Sequence, residues 1–509
     1  MSRALVTRRV LLSSVAMLTV AMTGGAQTAL QSPPASIPTH PRELTFPPLT
    51  FTPPERSAYR QVLAGNVAAY MVEDHDLPLV SLTIHIKGGS YLEPGAKTGL
   101  ASMTGSQMRA GGAGQLTAEQ FDEELDLLAA NVSSGFGATA GQASASFLAK
   151  DTERALALFF DMLRTPRFQQ DRLDLLKAQQ LQAIERRNDS TDDIEDREWV
   201  RLIRGADHFS SRSLTKASIE SIGRDDLAAF HKQYVHPGNF IVAVSGDFDT
   251  ADMKRRLNAY LQNWPTGSVA SAVPKPTHVP MPGLYLVNKP DVNQGRVSLG
   301  HLGIDRSNPD EIAVAIMNQI LGGGSFTSRI TARVRSDEGL AYSAGSSFAP
   351  GVYYPGTFTA SFQSKSESVA RAVAIVAEEI ERIRTQPVSS GELDIVKNYL
   401  TDVFPRTFAS PAAIANLFAT DELTGRPADY WRTYRDRVKA VTVADVERVA
   451  RTYLHPDRLV ILAVGNVDAM LKGDPDRPTF SLEKQAPAGR VTRIPLPDPM
   501  TMVYPASGQ

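Results

Sequence analysis

IESIGRDDLAAFHKQYVHP, residues Ile219 to Pro237, and VKAVTVADVERVARTYLHP, residues Val438 to Pro456, repeat one pattern. Both are 19 residues long and align without a gap. Asp226 matches Asp445, Tyr234 matches Tyr453, and His236-Pro237 matches His455-Pro456. Apolar positions coincide at Ile222/Val441 and Leu227/Val446. Each passage then enters a β-type run ended by Gly: FIVAVSGDFD from Phe240 and LVILAVGNVD from Leu459. Helix, His-Pro turn, buried strand and Gly recur at one spacing, so the chain is an internal duplication.

Working outward, earlier segments of the halves also correspond. Val80-Ser81-Leu82 and Val297-Ser298-Leu299 each open an alternating strand. Ala145-Ser146-Phe147 and Ala360-Ser361-Phe362 each end a strand before a long amphipathic helix, Asp151–Leu163 and Ser366–Arg384. Strands with period-two alternation mixed with long helices predict an α+β fold. We expect two tandem homologous halves, each a mainly antiparallel sheet with helices packed on one face. The boundaries read 55–264 and 283–473, joined by a Pro/Ser/Gly-rich linker at 265–282. A Pro-rich tail, expected to drape over the surface, occupies 474–509.

The N-terminus reads as an export signal, residues 1–26. Arg3, Arg8 and Arg9 precede a mostly apolar run from Val10 to Met22, and Gly24-Gly25-Ala26 offers small residues for cleavage. Thr7-Arg8-Arg9-Val10-Leu11-Leu12 resembles a twin-arginine signal, with a general secretory signal as the alternative. The apolar run is short for a membrane span. Residues 27–54 read as an extended Pro-rich leader. An exported, periplasmic protein without an integral membrane span is the expectation. The chain of 509 residues has a net charge of −2 and no basic stripe on a predicted helix, which argues against nucleic-acid binding. It has no Cys, so disulfides, thiolate metal sites and a Cys nucleophile are excluded.

Two motifs carry a resemblance. GGSYLEPGAKTGLASM from Gly88 is similar to a Gly-Ser turn, a variable loop and a Gly-Leu-Ala helix entry. LGGGSFTSRITARVRSDEGLAY from Leu321 resembles a Gly-rich turn, a Ser-Arg helix and a Gly-Leu-Ala-Tyr strand entry. With the duplication, these identify the stretch from Phe46 to Leu471 as similar to the pitrilysin–insulinase zinc metallopeptidases, mitochondrial processing peptidases included. Active members of that family carry His-x-x-Glu-His after Gly-Leu-Ala. The two His at i and i+4 share one zinc, and the Glu activates its water. Here Ser102 and Ser106 stand at the His positions and Gly105 at the Glu position. A further Glu ligand of the family falls near Gln182 or Ala183, and the nearby Glu185 reads as part of a solvated helix face. The nine His are scattered; His231 and His236 lie five apart, out of helical phase. The expectation is a chain that binds no metal.

The resemblance further implies an Arg and a Tyr, seven positions apart, that hold substrate and stabilise the oxyanion. Arg335 and Tyr342 have that spacing, and Arg333 is a competing Arg. A guanidinium offers forked donors to a carbonyl or carboxylate, and a phenol can donate to a developing oxyanion. Gly322-Gly323-Gly324-Ser325 lacks the Gly-Lys-Ser/Thr of a phosphate loop. Gly323 and Gly324 either contact substrate, as in the processing peptidase, or form a helix-entry turn. The repeated His-Pro reads as a turn before a strand. The expected function is that of a non-catalytic subunit of a heteromeric zinc peptidase. Its partner would carry His-x-x-Glu-His and the zinc. The alternatives are a catalytically dead structural or peptide-binding protein, and a self-sufficient peptidase with an unconventional site.

Overall fold

The apolar runs that follow the two His-Pro turns do not alternate, and a strand of that kind needs cover on both faces. In the computed structural model, which describes His40, Leu44 and residues 50–505 except Thr266, both runs are inner strands. The stretch read as an export signal, residues 1–26, and nearly all of the 27–49 stretch lie outside the described residues. Residues 51–509 form one unit, and the description below concerns that unit.

The strands are β1 (Arg60–Leu63), β2 (Val67–Glu73), β3 (Leu79–Lys87), β4 (Asn131–Phe136), β5 (Ala140–Leu148) and β6 (Phe240–Gly246), then β7 (Gly283–Asn288), β8 (Gln294–Leu302), β9 (Ala341–Ala349), β10 (Thr357–Lys365), β11 (Val460–Gly465) and β12 (Val491–Ile494). They form two six-stranded sheets, ordered β1-β2-β6-β3-β5-β4 and β12-β7-β11-β8-β10-β9. From the second strand onward the orders superpose one on the other, as the duplication requires. Pairing is antiparallel except for β2–β6 in the first sheet and β7–β11 and β7–β12 in the second. The α+β class and the mainly antiparallel sheets stand as read from the sequence.

The outer strand beside β2 or β7 is made differently in each half. β1 is a short strand antiparallel to β2. β12 comes from the C-terminal stretch, beyond Gly473, and runs parallel to β7 with Val491 opposite Leu284. Four residues of alternating burial carry too little pattern to stand out in a Pro-rich sequence, yet they cover the open hydrogen-bonding edge of β7.

Strand pleating sends alternate residues to opposite faces. On one face of the first sheet, Val80, Leu82, Ile84 and Ile86 pack with Leu156, Phe159 and Leu163 of the Thr152–Arg164 helix. In the second, Val297 and Leu299 pack with Val373, Val376 and Ile380 of the Val369–Thr385 helix. The opposite faces are covered by the other half. Tyr70, Val72, Ile241 and Ala243 of the first sheet meet Phe404, Phe408, Phe418 and Ala419 from the second half. Tyr285, Val287, Val460, Leu462 and Val464 of the second sheet meet Ile194 and Ile203 of the Thr191–Arg204 helix from the first. This reciprocal exchange explains why β6 and β11 are apolar on both faces. Among the described residues no helix is long and apolar enough to cross a membrane.

Candidate functional site

The degenerate metal positions lie on the Leu100–Ala110 helix. Gly99, at φ 102°, starts it in the left-handed region that Gly tolerates. Glu93 caps it: one carboxylate oxygen accepts the Gly99 N–H and the other the Ala101 N–H, both at 2.9 Å. Ser102 is exposed, Ser106 partly so, and Gly105 is buried against the edge strand β4. A Cβ placed on Gly105 would stand 2.6 Å from the Phe136 nitrogen and 2.7 Å from the Gly135 backbone. The Ser134 hydroxyl donates to the Gly105 carbonyl at 2.6 Å. The position that would hold a catalytic Glu is therefore filled by the backbone of β4. Gln182 and Ala183 lie exposed near the end of the Gln170–Glu185 helix. Among the described residues no group of three or more His, Asp or Glu is placed to hold a metal ion. Hydroxyls, an amide and a closed glycine contact do not fit zinc.

The His residues serve the fold. His231 is buried with Nε2 2.7 Å from the Leu163 carbonyl, and burial lowers its pKa. His236 accepts the Gly238 N–H on Nδ1 at 3.2 Å, at the turn that leads into β6.

The second half repeats the helix-to-edge contact. The Glu311–Asn318 helix widens over Gln319–Gly323 and runs against β9. A Cβ on Gly322 would lie 2.4 Å from the Ser346 hydroxyl and 2.5 Å from its nitrogen. A Cβ on Gly324 would likewise lie 2.5 Å from the Gln319 carbonyl oxygen, so both glycines are close-packed. Gly323 is exposed and Gly324 partly exposed, and Ser325 takes a positive φ of 55°.

After this turn the chain re-enters a helix that carries three Arg. Arg329 is held by both oxygens of Glu392, at 2.7 and 3.0 Å. Arg333 sits 2.9 Å from Glu378 and from the fully buried Glu379. Arg335, two positions on, emerges on the other side of the turn and makes no ion pair among the described residues. Its guanidinium lies between two rings, 4.7 Å from the centroid of Tyr342 and 4.5 Å from that of Phe326. Tyr342 is 84% exposed and Phe326 60% exposed. Tyr342 is near the start of β9, the edge strand of its sheet. The fold thus brings Arg335 and Tyr342 together on an open surface. Arg333 is tied into the protein.

Comparison with known proteins places this geometry. Residues 221–400, which include the Gly-rich turn, Arg335 and Tyr342, match the family model for the peptidase M16 inactive domain. The non-peptidase homolog YmxG of Helicobacter pylori is 24% identical over 418 residues, spanning 80% of this chain and 94% of that protein. A crystal structure of a peptidase M16 inactive domain from Pseudomonas fluorescens is 26% identical, with a TM-score of 0.72 over 80% of this chain and 97% of its own. The chain is similar to the M16 peptidase family over most of its length. A protease structure from Helicobacter pylori, 18% identical with a TM-score of 0.70, shares the fold over 82% of this chain and its own full length.

Within this M16 fold, Phe326 was not singled out by sequence reasoning. Its only signal is a lone aromatic in a Gly/Ser/Thr stretch, where a side chain has no core to enter and is left to stack on a neighbour. The Gly105–β4 contact was equally hidden, because a missing Glu does not reveal what fills its place.

Proposed function

We propose that this M16-like chain is the exported, non-catalytic subunit of a heteromeric zinc peptidase, acting in the periplasm with a homologous His-x-x-Glu-His subunit that holds the zinc. The observation that carries the reading is the Phe326–Arg335–Tyr342 stack. A guanidinium free of carboxylates and a phenol left in solvent cost the fold side-chain order without a core contact in return. Such groups suit an incoming ligand.

In the complex, an extended peptide would add to an open strand edge through backbone hydrogen bonds. Arg335 would hold a peptide carbonyl or terminal carboxylate with its forked donors. Tyr342 would donate from its hydroxyl to the oxygen that gains charge as the peptide bond is attacked. Zinc held by the partner would supply the activated water. Gly323 and Gly324 lie at the surface beside the stack, where their backbone could meet the peptide. The closed Gly105–β4 contact favours a second reading, a peptide-binding or structural protein that works without a peptidase partner.

Capture of the tagged chain from its native host, followed by mass spectrometry, separates the two. A stoichiometric partner bearing His-x-x-Glu-His supports the peptidase complex. Recovery of this chain alone supports the second reading.

A further inference from the structure

A cavity of about 530 Å³ lies away from the Arg335–Tyr342 stack, walled by the loop after β8, the turn between β9 and β10, the turn after the Pro411–Thr424 helix, and Lys275 of the inter-half linker. Four cations line it: Lys275, Arg306, Arg426 and Arg437. Tyr353 and Tyr430 stand among them.

The acids nearby gather on Arg426 and leave Lys275 and Arg437 without an ion pair among the described residues. Asp305 spends one carboxylate oxygen on the N–H and hydroxyl of Ser307, which shape its own loop. Asp421 is 3% exposed, accepts the Trp431 indole N–H at 2.6 Å, and lies 3.2 Å from Arg426. Glu311 is 3.7 Å from the same Arg426. Two carboxylates thus share one guanidinium. Arg306 has a side chain only 15% exposed, and Asp421 lies 4.0 Å from it. Among the described residues no side-chain hydrogen bond takes up its donors, and burial lowers its pKa. A part-buried guanidinium with open donors is costly unless an anion meets it.

The walls are also held in place. Arg426 lies over the Tyr430 ring at 3.9 Å, which sets the plane of its donors. The Tyr354 hydroxyl accepts from Arg204 of the first half at 3.2 Å, pinning the β9–β10 turn. Burial pushes the Tyr353 phenol up, so it stays protonated and can donate at neutral pH.

We infer that this cavity is a binding site for a small multivalent oxyanion, a polycarboxylate or a phosphate, gripped by Arg306, Arg437 and Lys275. The bidentate geometry of Arg and the point charge of Lys suit either source of the charge. The inference does not rest on the peptidase reading and fails or holds separately from it.

Isothermal titration of the whole mature chain, at fixed ionic strength in chloride, tests it with two probes, citrate and inorganic phosphate. We expect saturable binding of at least one probe, weakened at least about tenfold by Arg437→Gln and by Lys275→Gln. Neither residue holds a carboxylate in the fold, so both variants should melt at the wild-type temperature. Citrate alone binding marks a carboxylate ligand, and phosphate alone a phosphorylated one; both outcomes support the site. No saturable binding of either probe, or binding that both substitutions leave unchanged, overturns it.

Discussion

Gly105 carries the argument about catalysis at the scale of one residue. Its α-hydrogen side faces the β4 backbone at a distance that leaves no room for a Cβ. Backbone atoms of an edge strand cannot move aside as the end of a long side chain can. Gly105→Ala is therefore expected to destabilise the protein by about 1–3 kcal/mol, although Ala is the better helix former. Chemical denaturation measures this, and an unchanged or raised midpoint would contradict the close contact. The same geometry predicts the outcome of rebuilding the motif. The triple variant Ser102→His, Gly105→Glu, Ser106→His should not take up stoichiometric zinc by metal analysis, because the third ligand position near Gln182 and Ala183 still offers no carboxylate, and the Glu at 105 would also have to displace β4. One tightly bound zinc per chain would contradict this reading of the site.

At the scale of elements, the exchanged helices decide how the molecule holds together. Phe418 is 1% exposed and sits between the Pro411–Thr424 helix of the second half and Tyr70 of the first sheet. Phe418→Ala should cost about 3–5 kcal/mol, the usual range for a buried Phe. Both halves should still unfold in one transition, since each covers the other's sheet; two separated transitions would argue against the exchange. The same seam carries a charge cluster. Burial pushes the Glu422 carboxyl up, but hydrogen bonds from Tyr70 and Arg60 and the charge of Arg56 outweigh it and bring it down to about 2. Glu392 is likewise raised by burial and brought down to about 2, chiefly by Arg329 and Ser389. A depressed carboxylate stabilises the fold fully above its unfolded value of 4.5 and loses that contribution as pH falls from there toward 2. Thermal midpoints should therefore drop between pH 5 and pH 2, and Glu422→Gln should flatten that slope. A slope identical to wild type would remove Glu422 from the account. None of this seam was legible in the sequence. An apolar stripe shows that a face is buried, as in FIVAVSG, and not which half of the molecule buries it.

At the scale of the whole molecule, the duplication was legible because the helix, His-Pro turn and strand at 219–246 recur without a gap and at the same spacing at 438–465. It foretells two sheets with one strand order, and the orders match from β2 and β7 onward. The outer strands were less legible: β12 is four residues long in a Pro-rich stretch, and its strand character comes from pairing with β7. The Arg335–Tyr342 pair came from spacing combined with resemblance. Their contact, and the Phe326 that completes it, depend on how a glycine-rich turn folds back, which no periodicity encodes. The central proposal is that this M16-like chain completes a working site whose metal lies in another subunit. The most direct measurement is peptide hydrolysis by the complex captured with wild-type chain and with Tyr342→Phe, at equal recovery of the zinc-bearing partner. The account predicts that the loss of one hydroxyl lowers turnover at least about tenfold while assembly is unchanged. Equal turnover in the two complexes would contradict it.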